Sequence, residues 1–124
     1  MIKLTFCLRR IPALTRADFQ RYWRQHHAAL VQQHAAALRI VRYVQVHTLD
    51  DAINDALQAS RGALAAFDGV AEIWWRSRNE LETALSTPAA QDAARALLED
   101  ERRFIDLARS ALWIGEENVV IGDA

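Results

Sequence analysis

Two short segments hold the residues of this chain that are best suited to acid–base chemistry. Segment 22–31 (YWRQHHAALV) places His27 within an apolar helical pattern, and segment 67–75 (FDGVAEIWW) places Glu72 within an apolar strand pattern. An imidazole with a pKa of about 6.5 exchanges protons readily near neutral pH. A carboxylate among apolar residues must be paired, protonated or next to a cavity. The two segments therefore indicate a pocket for a small molecule.

The spacing of the helical histidines bears on both catalysis and metal binding. At ~100° per residue, His27 and His34 fall on the same helical stripe as Phe19, Trp23 and Leu30. His27 is either a general acid or base in a pocket or a core histidine, whereas His34 is expected to support or line that pocket. Seven residues along a helix span roughly 10.5 Å, which is too far for adjacent ligands of one ion. We therefore expect no metal site.

Two carboxylates are the candidate partners of His27. Glu72 would either orient His27 or form a salt bridge, with Arg42, Arg76 or an arginine of a second copy as its mate. Asp68 precedes Gly69 in a turn signature, in which glycine is free to adopt positive φ. Asp68 is thus a turn residue or a third catalytic group.

Three aromatic residues are candidates for substrate contacts. Tyr43 could hold a substrate oxygen or pack in the core with its hydroxyl tethered, and Trp23 and Trp74 are core residues or apolar pocket walls. No glycine-rich phosphate loop or nucleophile elbow is present, so we expect no nucleotide cofactor. Our prediction is that the protein uses no cofactor at all; a haem bound by one of the histidines would be detected in the absorbance spectrum.

The elements that must position these residues follow from hydrophobic periodicity and capping signals. The order is strand, helix, strand, strand, helix, strand, which is a split βαβ motif in an α+β fold. It predicts a four-stranded antiparallel sheet with helices on one face, in one domain over residues 1–124. Strands are expected at 2–8, 40–49 and 70–76, and region 112–121 has two strand-like stretches, 113–114 and 119–121, interrupted at 115–117. Helices are expected to begin near Arg16, at Asp50-Asp51 (ending at Ala59), at Ser77 and at Thr87 (continuing through Leu107).

Bulk composition excludes several classes of function. The chain of 124 residues has a net charge of −1, so no basic surface for nucleic acid is expected. No apolar run is long enough for a membrane span, and the N-terminus predicts a strand and not a signal peptide. With one cysteine, the protein is expected to be cytoplasmic. Because both faces of the third strand are apolar, we expect a second copy to cover the helix-free face as a homodimer.

The order of several motifs resembles the EthD family. They are Arg9-Arg10, Phe19-x-x-Tyr22-Trp23, His27-x-x-Leu30-Val31, Arg61-Gly62 and the run from Asp68 to Trp75. The resemblance implies a ferredoxin-like dimeric α/β barrel. Two positions depart from the family pattern, since Ala29 stands where proline is usual and Phe67 where tyrosine is common. The missing Phe67 hydroxyl removes one hydrogen-bond donor from any mechanism.

The resemblance also frames the predicted function. The leading hypothesis is a cofactor-independent enzyme performing acid–base chemistry as an isomerase, dehydratase, cyclase or decarboxylase. Its substrate would be a small apolar, cyclic or aromatic ketone. The alternative is a non-catalytic protein that binds a hydrophobic metabolite or supports an oxygenase system, and a cofactor-free monooxygenase is a third option. Because fold does not determine function, the substrate and the reaction type stay open at this point.

Overall fold

The computed structural model describes residues 1–123, which contain the strands β1 (Ile2–Leu8), β2 (Arg42–His47), β3 (Gly69–Trp75) and β4 (Ala111–Gly115). They form one antiparallel sheet in the order β2-β3-β1-β4. This is the predicted ferredoxin-like arrangement, in which β1 lies between β3 and β4. Of the two strand-like stretches predicted near the end of the chain, the first lies in β4, whereas residues 119–121 are exposed and outside any strand.

The helices begin where the sequence places capping residues. The side chains of Thr15, Asp51, Ser77 and Thr87 each accept a hydrogen bond from a backbone N–H in the first turn that follows. The predicted last long helix ends at Glu101 and not near Leu107, where a single 3₁₀ turn lies instead. The helices are α1 (Arg16–Tyr22), α2 (Ala28–His34), α3 (Ala52–Arg61), α4 (Arg78–Leu85) and α5 (Pro88–Glu101).

A π-helical turn, Trp23–His27, joins α1 to α2 in one continuous helix. Its signature is the hydrogen bond from the Ala28 N–H to the carbonyl of Trp23, five residues earlier. The buried residues therefore recur every fourth position, at 19, 23, 27 and 31. In a uniform α-helix this row would rotate by ~40° at each step. The wide turn keeps His27 on the core side, and it also invalidates the wheel that grouped His27 with His34.

The two faces of the sheet have different neighbours. Phe6, Leu8 and Ala71 point toward the helices and form a buried cluster with Phe19 and Phe104. Side chains alternate along a strand, so Glu72 and Trp74 point to the opposite, helix-free face. That face also carries Val44, Val46 and Trp113, whose register positions neighbour Glu72, Val70 and Thr5. Trp113 is 52% exposed, so the helix-free face presents an apolar surface.

Gly69 is required for close packing and not for an unusual backbone angle. The positive-φ glycines among residues 1–123 are Gly62 and Gly122, which corrects the expectation for Gly69. A Cβ at Gly69 would lie 2.8 Å from Cη2 of the Trp23 ring and 2.9 Å from the carbonyl oxygen of Val46. Trp23 is thus a core side chain that packs directly on the backbone of β3.

Candidate functional site

His27 and Asp100 form a buried pair between the π-helical turn and α5. His27 Nδ1 lies 2.7 Å from Asp100 Oδ2, and both side chains are almost fully buried. The His27 ring also packs on Phe104, with 5.0 Å between the ring centroids. Asp100 thereby sets the orientation of the imidazole and the tautomer with hydrogen on Nδ1, which leaves Nε2 as the free basic atom.

The second oxygen of Asp100 connects this pair to the protein surface. Tyr22 donates its hydroxyl to Asp100 Oδ1 at 2.5 Å, and the exposed His26 Nε2 lies 3.4 Å from the same oxygen. Arg103 contributes positive charge at 3.9 Å. These groups satisfy a carboxylate that would otherwise be costly to bury.

The pKa shifts of the two groups favour an ionised Asp100 and a neutral His27. Burial lowers the pKa of His27 below its ordinary value, and hydrogen bonding to Asp100 offsets this only in part. Burial alone would raise the pKa of Asp100, but the hydrogen bonds from Tyr22 and His27 hold it below its ordinary value. At neutral pH the pair is therefore a carboxylate beside a neutral imidazole, which is the form of a general base.

His27 also lines a small cavity between the helices and the sheet. The cavity has a volume of about 40 Å³, room for roughly one or two water molecules. Its walls are mostly apolar, and its polar groups are His27, Tyr43 and Glu101. The lining residues are Phe6, Leu8, Trp23, His27, Val31, Tyr43, Ala71, Ile73, Leu97, Glu101 and Ile105.

Glu101 and Tyr43 bring two further titratable groups to this cavity. Burial, assisted by the charge of Asp100, raises the pKa of the Glu101 carboxyl to about 7. Burial likewise raises the pKa of Tyr43, whose hydroxyl accepts a hydrogen bond from Gln45 Nε2 at 3.0 Å. A neutral imidazole, a carboxyl that is half protonated near neutrality and a phenol therefore surround the same small space.

Glu72 and Trp74, two other predicted site residues, lie away from this cavity. Glu72 forms an ion pair with Lys3 on the helix-free face, so it does not orient His27. The mate is Lys3 and not one of the arginines considered from the sequence. Trp74 is on the same face and donates its Nε1–H to Glu117 at 2.5 Å. The sheet itself separates both residues from His27.

Asp68 and His34 are also outside the cavity. Asp68 is buried in the turn before β3, where it accepts hydrogen bonds from the Arg10 backbone N–H at 2.8 Å, the Arg10 guanidinium at 2.6 Å and Arg16 Nε at 2.9 Å. His34 is half-buried at the end of α2. Of the seven residues proposed from the sequence, the structure brings three together at the cavity: His27, Tyr43 and Trp23.

Sequence reasoning missed Asp100 and Glu101, because they stand in the charged run 99–103, which is typical of a solvated helix face. A signal was nevertheless present. Asp100 falls between Leu97 and Phe104 at spacings of three and four, in register with the buried Ala90 and Ala93. A charged residue in the apolar stripe of a helix must have a buried partner.

The arrangement has the parts of a general acid–base site. Among residues 1–123, no group of three His, Cys, Asp or Glu side chains is placed to hold a metal. In the same part of the chain, no helix is long and apolar enough to cross a membrane. The fold and the cavity together define a ferredoxin-like α+β protein with a histidine–aspartate pair beneath its sheet.

The EthD domain family matches residues 11–108, and the chain therefore belongs to the EthD family. It is similar to an EthD family protein of Bacillus halodurans at 19% identity, covering 95% of this chain and 99% of that one with a TM-score of 0.61. No curated protein matches the sequence significantly.

Two other solved structures share the fold. A dimeric ferredoxin-like protein of Thermobifida fusca is 12% identical, with 92% of this chain and 88% of that one covered and a TM-score of 0.57. SnoaB, a cofactor-independent oxygenase of Streptomyces nogalater studied as its N63A mutant, is 16% identical, with coverages of 98% and 95% and a TM-score of 0.52. At these identities the likeness shows the fold alone.

Proposed function

We propose that this protein is a cofactor-independent enzyme in which His27 removes a proton from a small, apolar, ketone-bearing substrate. The observation that carries the proposal is the 2.7 Å contact between His27 Nδ1 and Asp100, which leaves Nε2 beside the cavity. Hydrogens next to a carbonyl are the acidic sites of such a compound, so isomerisation, dehydration and cyclisation can begin with removal of one of them. Decarboxylation of a β-keto acid instead breaks a carbon–carbon bond to release CO₂, and the resulting enolate then takes up a proton at the same kind of carbon.

The other cavity residues have complementary roles in this proposal. Glu101 in its protonated form would donate a proton to the developing enolate oxygen, for which a pKa of about 7 is well suited. Tyr43 would donate a second hydrogen bond, and Trp23 would supply an apolar wall. These groups replace the predicted Glu72 and Asp68, which the fold directs elsewhere.

The cavity volume of about 40 Å³ sets a condition on substrate binding. A cyclic or aromatic substrate needs more space, since typical small-molecule sites measure roughly 300–1,000 Å³. The proposal therefore requires the apolar lining side chains to shift when the ring enters, while Glu101 stays in the cavity wall as the proton donor. His27 Nε2 and the Glu101 carboxyl then contact the substrate inside an apolar space that excludes water.

The test is proton exchange, because it does not require the final reaction to be known. Cyclic and aromatic ketones are incubated with the protein in D₂O, and NMR follows the loss of the hydrogens next to the carbonyl. We expect exchange of at least one ketone, reduced about 100-fold or more in His27→Gln. His34→Gln is the matched control, because it makes the same change in the same continuous helix outside the cavity.

Two results would replace the proposal with another function. Ligand-induced shifts of the His27 signals without any exchange would favour a non-catalytic metabolite-binding or accessory protein. Oxygen consumption with a phenolic substrate would favour a cofactor-free monooxygenase; the structurally similar SnoaB is a cofactor-independent oxygenase. No exchange and no binding across the panel would overturn the assignment of this cavity.

We also propose that this single domain acts as a homodimer in the cytoplasm. The support is the helix-free face, where Val46 and Trp113 are about half exposed beside Val44. Burying such a surface against a second copy would remove apolar area from water. Sedimentation should give the dimer mass, and Trp113→Arg should shift it toward the monomer, whereas the exposed Leu64→Arg should not.

A further inference from the structure

A second cleft, unrelated to the His27 cavity, lies where β1 ends and α1 begins. It has a volume of about 290 Å³, near the lower end of small-molecule sites, and shares no lining residue with the cavity. Four guanidinium groups converge on it from separate parts of the chain. The lining residues are Arg9, Arg10, Pro12, Arg16, Ala65, Ala66, Asp68 and Arg109.

The positive charge of this cleft exceeds its negative charge. Asp68 is the one carboxylate among the lining residues, and it pairs with both Arg10 and Arg16. Within residues 1–123, neither Arg9 nor Arg109 has a carboxylate partner. Four guanidinium groups against one carboxylate leave three positive charges in excess around a concave surface, which raises the local concentration of anions.

Three of the four guanidinium groups, those of Arg9, Arg10 and Arg16, are held in place by other residues. Arg9 donates to the carbonyl oxygens of Ala65 and Ala66, each at 3.2 Å, and its guanidinium carbon lies 4.1 Å from the centre of the Phe67 ring. The buried Asp68 carboxylate engages one nitrogen each of Arg10 and Arg16. Because a guanidinium has five N–H donors, most of the donors around the cleft are left for another acceptor.

Phe67 supports Arg9 with its ring and contacts Thr48 with its backbone. The Arg9 guanidinium packs on the Phe67 ring, and the backbone carbonyl of Phe67 accepts a hydrogen bond from the Thr48 hydroxyl at 2.6 Å. Residues 65–68 thus have three roles at the cleft. Residues 65 and 66 line it, Phe67 packs on Arg9, and Asp68 positions Arg10 and Arg16.

We propose that this cleft binds an anionic oxygen group, a phosphate or a carboxylate, of a small molecule. Guanidinium forks match both groups with paired, charge-assisted hydrogen bonds. Arg9 and Arg109 supply the uncompensated charge, and Asp68 acts as a positioning residue that directs Arg10 and Arg16. The site stands independently of proton transfer at His27, since the two share no residue.

The test uses calorimetric titration at pH 7 with inorganic phosphate and, separately, with benzoate. Sodium chloride at equal ionic strength is the reference, because it reports screening alone. We expect saturable binding of one of the two anions with a Kd below about 10 mM. The preferred anion distinguishes a phosphoryl ligand from a carboxylate ligand.

Two cleft variants and one control keep the result specific. Arg9→Gln and Arg109→Gln should each weaken binding about tenfold or more, because each removes a charged donor. Arg109 is exposed, so its variant retains the fold even if Arg9→Gln loosens the turn. Arg61→Gln, an exposed arginine outside the cleft, should bind as the wild type does. Absence of saturable binding by either anion, or equal binding by the Arg109 variant and the wild type, would overturn the proposal.

Discussion

Replacing Asp100 by asparagine is the most direct test of the pair described above. The substitution keeps the size of the side chain and removes only its charge. In the wild type the carboxylate is 4% exposed and accepts hydrogen bonds from Tyr22 and from His27. The amide oxygen of asparagine can still accept a hydrogen bond from Tyr22 or His27. The amide NH₂ group then faces the other of these two residues, which is itself a donor.

The loss of stability can be worked from these two contacts. A hydrogen bond to a charged group contributes about 1.5–3 kcal/mol, against about 0.5–1.5 kcal/mol for a neutral one. Making the shared acceptor neutral weakens each of the two hydrogen bonds by about 1–1.5 kcal/mol. The expected decrease in the free energy of unfolding at pH 7 is therefore about 2–3 kcal/mol. Asp92→Asn is the control on the same helix. Asp92 is 74% exposed and, within residues 1–123, pairs with Arg95 alone, so its change should be within about 0.5 kcal/mol.

The pH dependence of the Asp100 effect has a defined sign. The pKa of Asp100 is lower in the folded protein than in the unfolded chain, so its contribution is present above the unfolded pKa of about 4 and is lost as pH falls further. The difference between wild type and Asp100→Asn should therefore shrink below about pH 4. At the same time the pKa of His27 should fall further, because the carboxylate that raises it is gone.

Urea denaturation at pH 7 and pH 3, together with an NMR titration of the histidines, measures these quantities. Equal destabilisation by the Asp100 and Asp92 variants would refute the reasoning about the buried pair. So would a stability difference that is the same at both pH values, or a His27 pKa that does not change.

Three further predictions concern packing, a helix end and a buried acid. Gly69→Ala should lower stability by about 1–3 kcal/mol, since its Cβ would overlap the Trp23 ring, and an unchanged urea midpoint would contradict this. Arg39→Gly should raise stability by up to about 1 kcal/mol, because Arg39 has a φ of 56° after α2, and Arg39→Ala, which keeps a Cβ, should not. Glu101→Gln should become more stable relative to wild type as pH rises. The Glu101 carboxyl has a pKa of about 7 in the folded protein and about 4.3 in the unfolded chain, so its contribution to stability is full below pH 4.3 and is lost as pH rises through 7. A constant difference between Glu101→Gln and wild type from pH 4 to 8 would contradict this last prediction.

Local signals predicted most of the elements because their causes are local. The alternation over residues 2–8 coincides with β1, and the cap residues Asp51 and Thr87 begin α3 and α5. Strand alternation also assigned Ala71 and Glu72 to opposite faces. These features depend on the direction of Cβ atoms and on neighbouring backbone N–H groups, and both are set within a few residues.

The π-helical turn was beyond local prediction. Nothing in the composition of residues 23–27 distinguishes them from an ordinary amphipathic helix. The wide turn is accompanied by contacts of Trp23 with Gly69 and of His27 with Asp100, which are 46 and 73 positions away in sequence. Its consequence is that the uniform helical wheel that grouped His27 with His34 fails after residue 27, and of these two histidines it is His27 that lines the cavity.

The sequence by itself determined the split βαβ order, the family, the burial of His27 and the apolar character of both sheet faces. The family follows from the order of its motifs, and the other features follow from periodicities of two and of nearly four residues along the chain. Only the tertiary structure decided which carboxylate serves His27. Asp68, Glu72 and Asp100 were equally available as residue types, but the sheet places Glu72 with Lys3, the turn gives Asp68 to two arginines, and the packing of α5 on the π-helical turn leaves Asp100. Such pairings depend on contacts between distant segments, and those exist only after the core has formed.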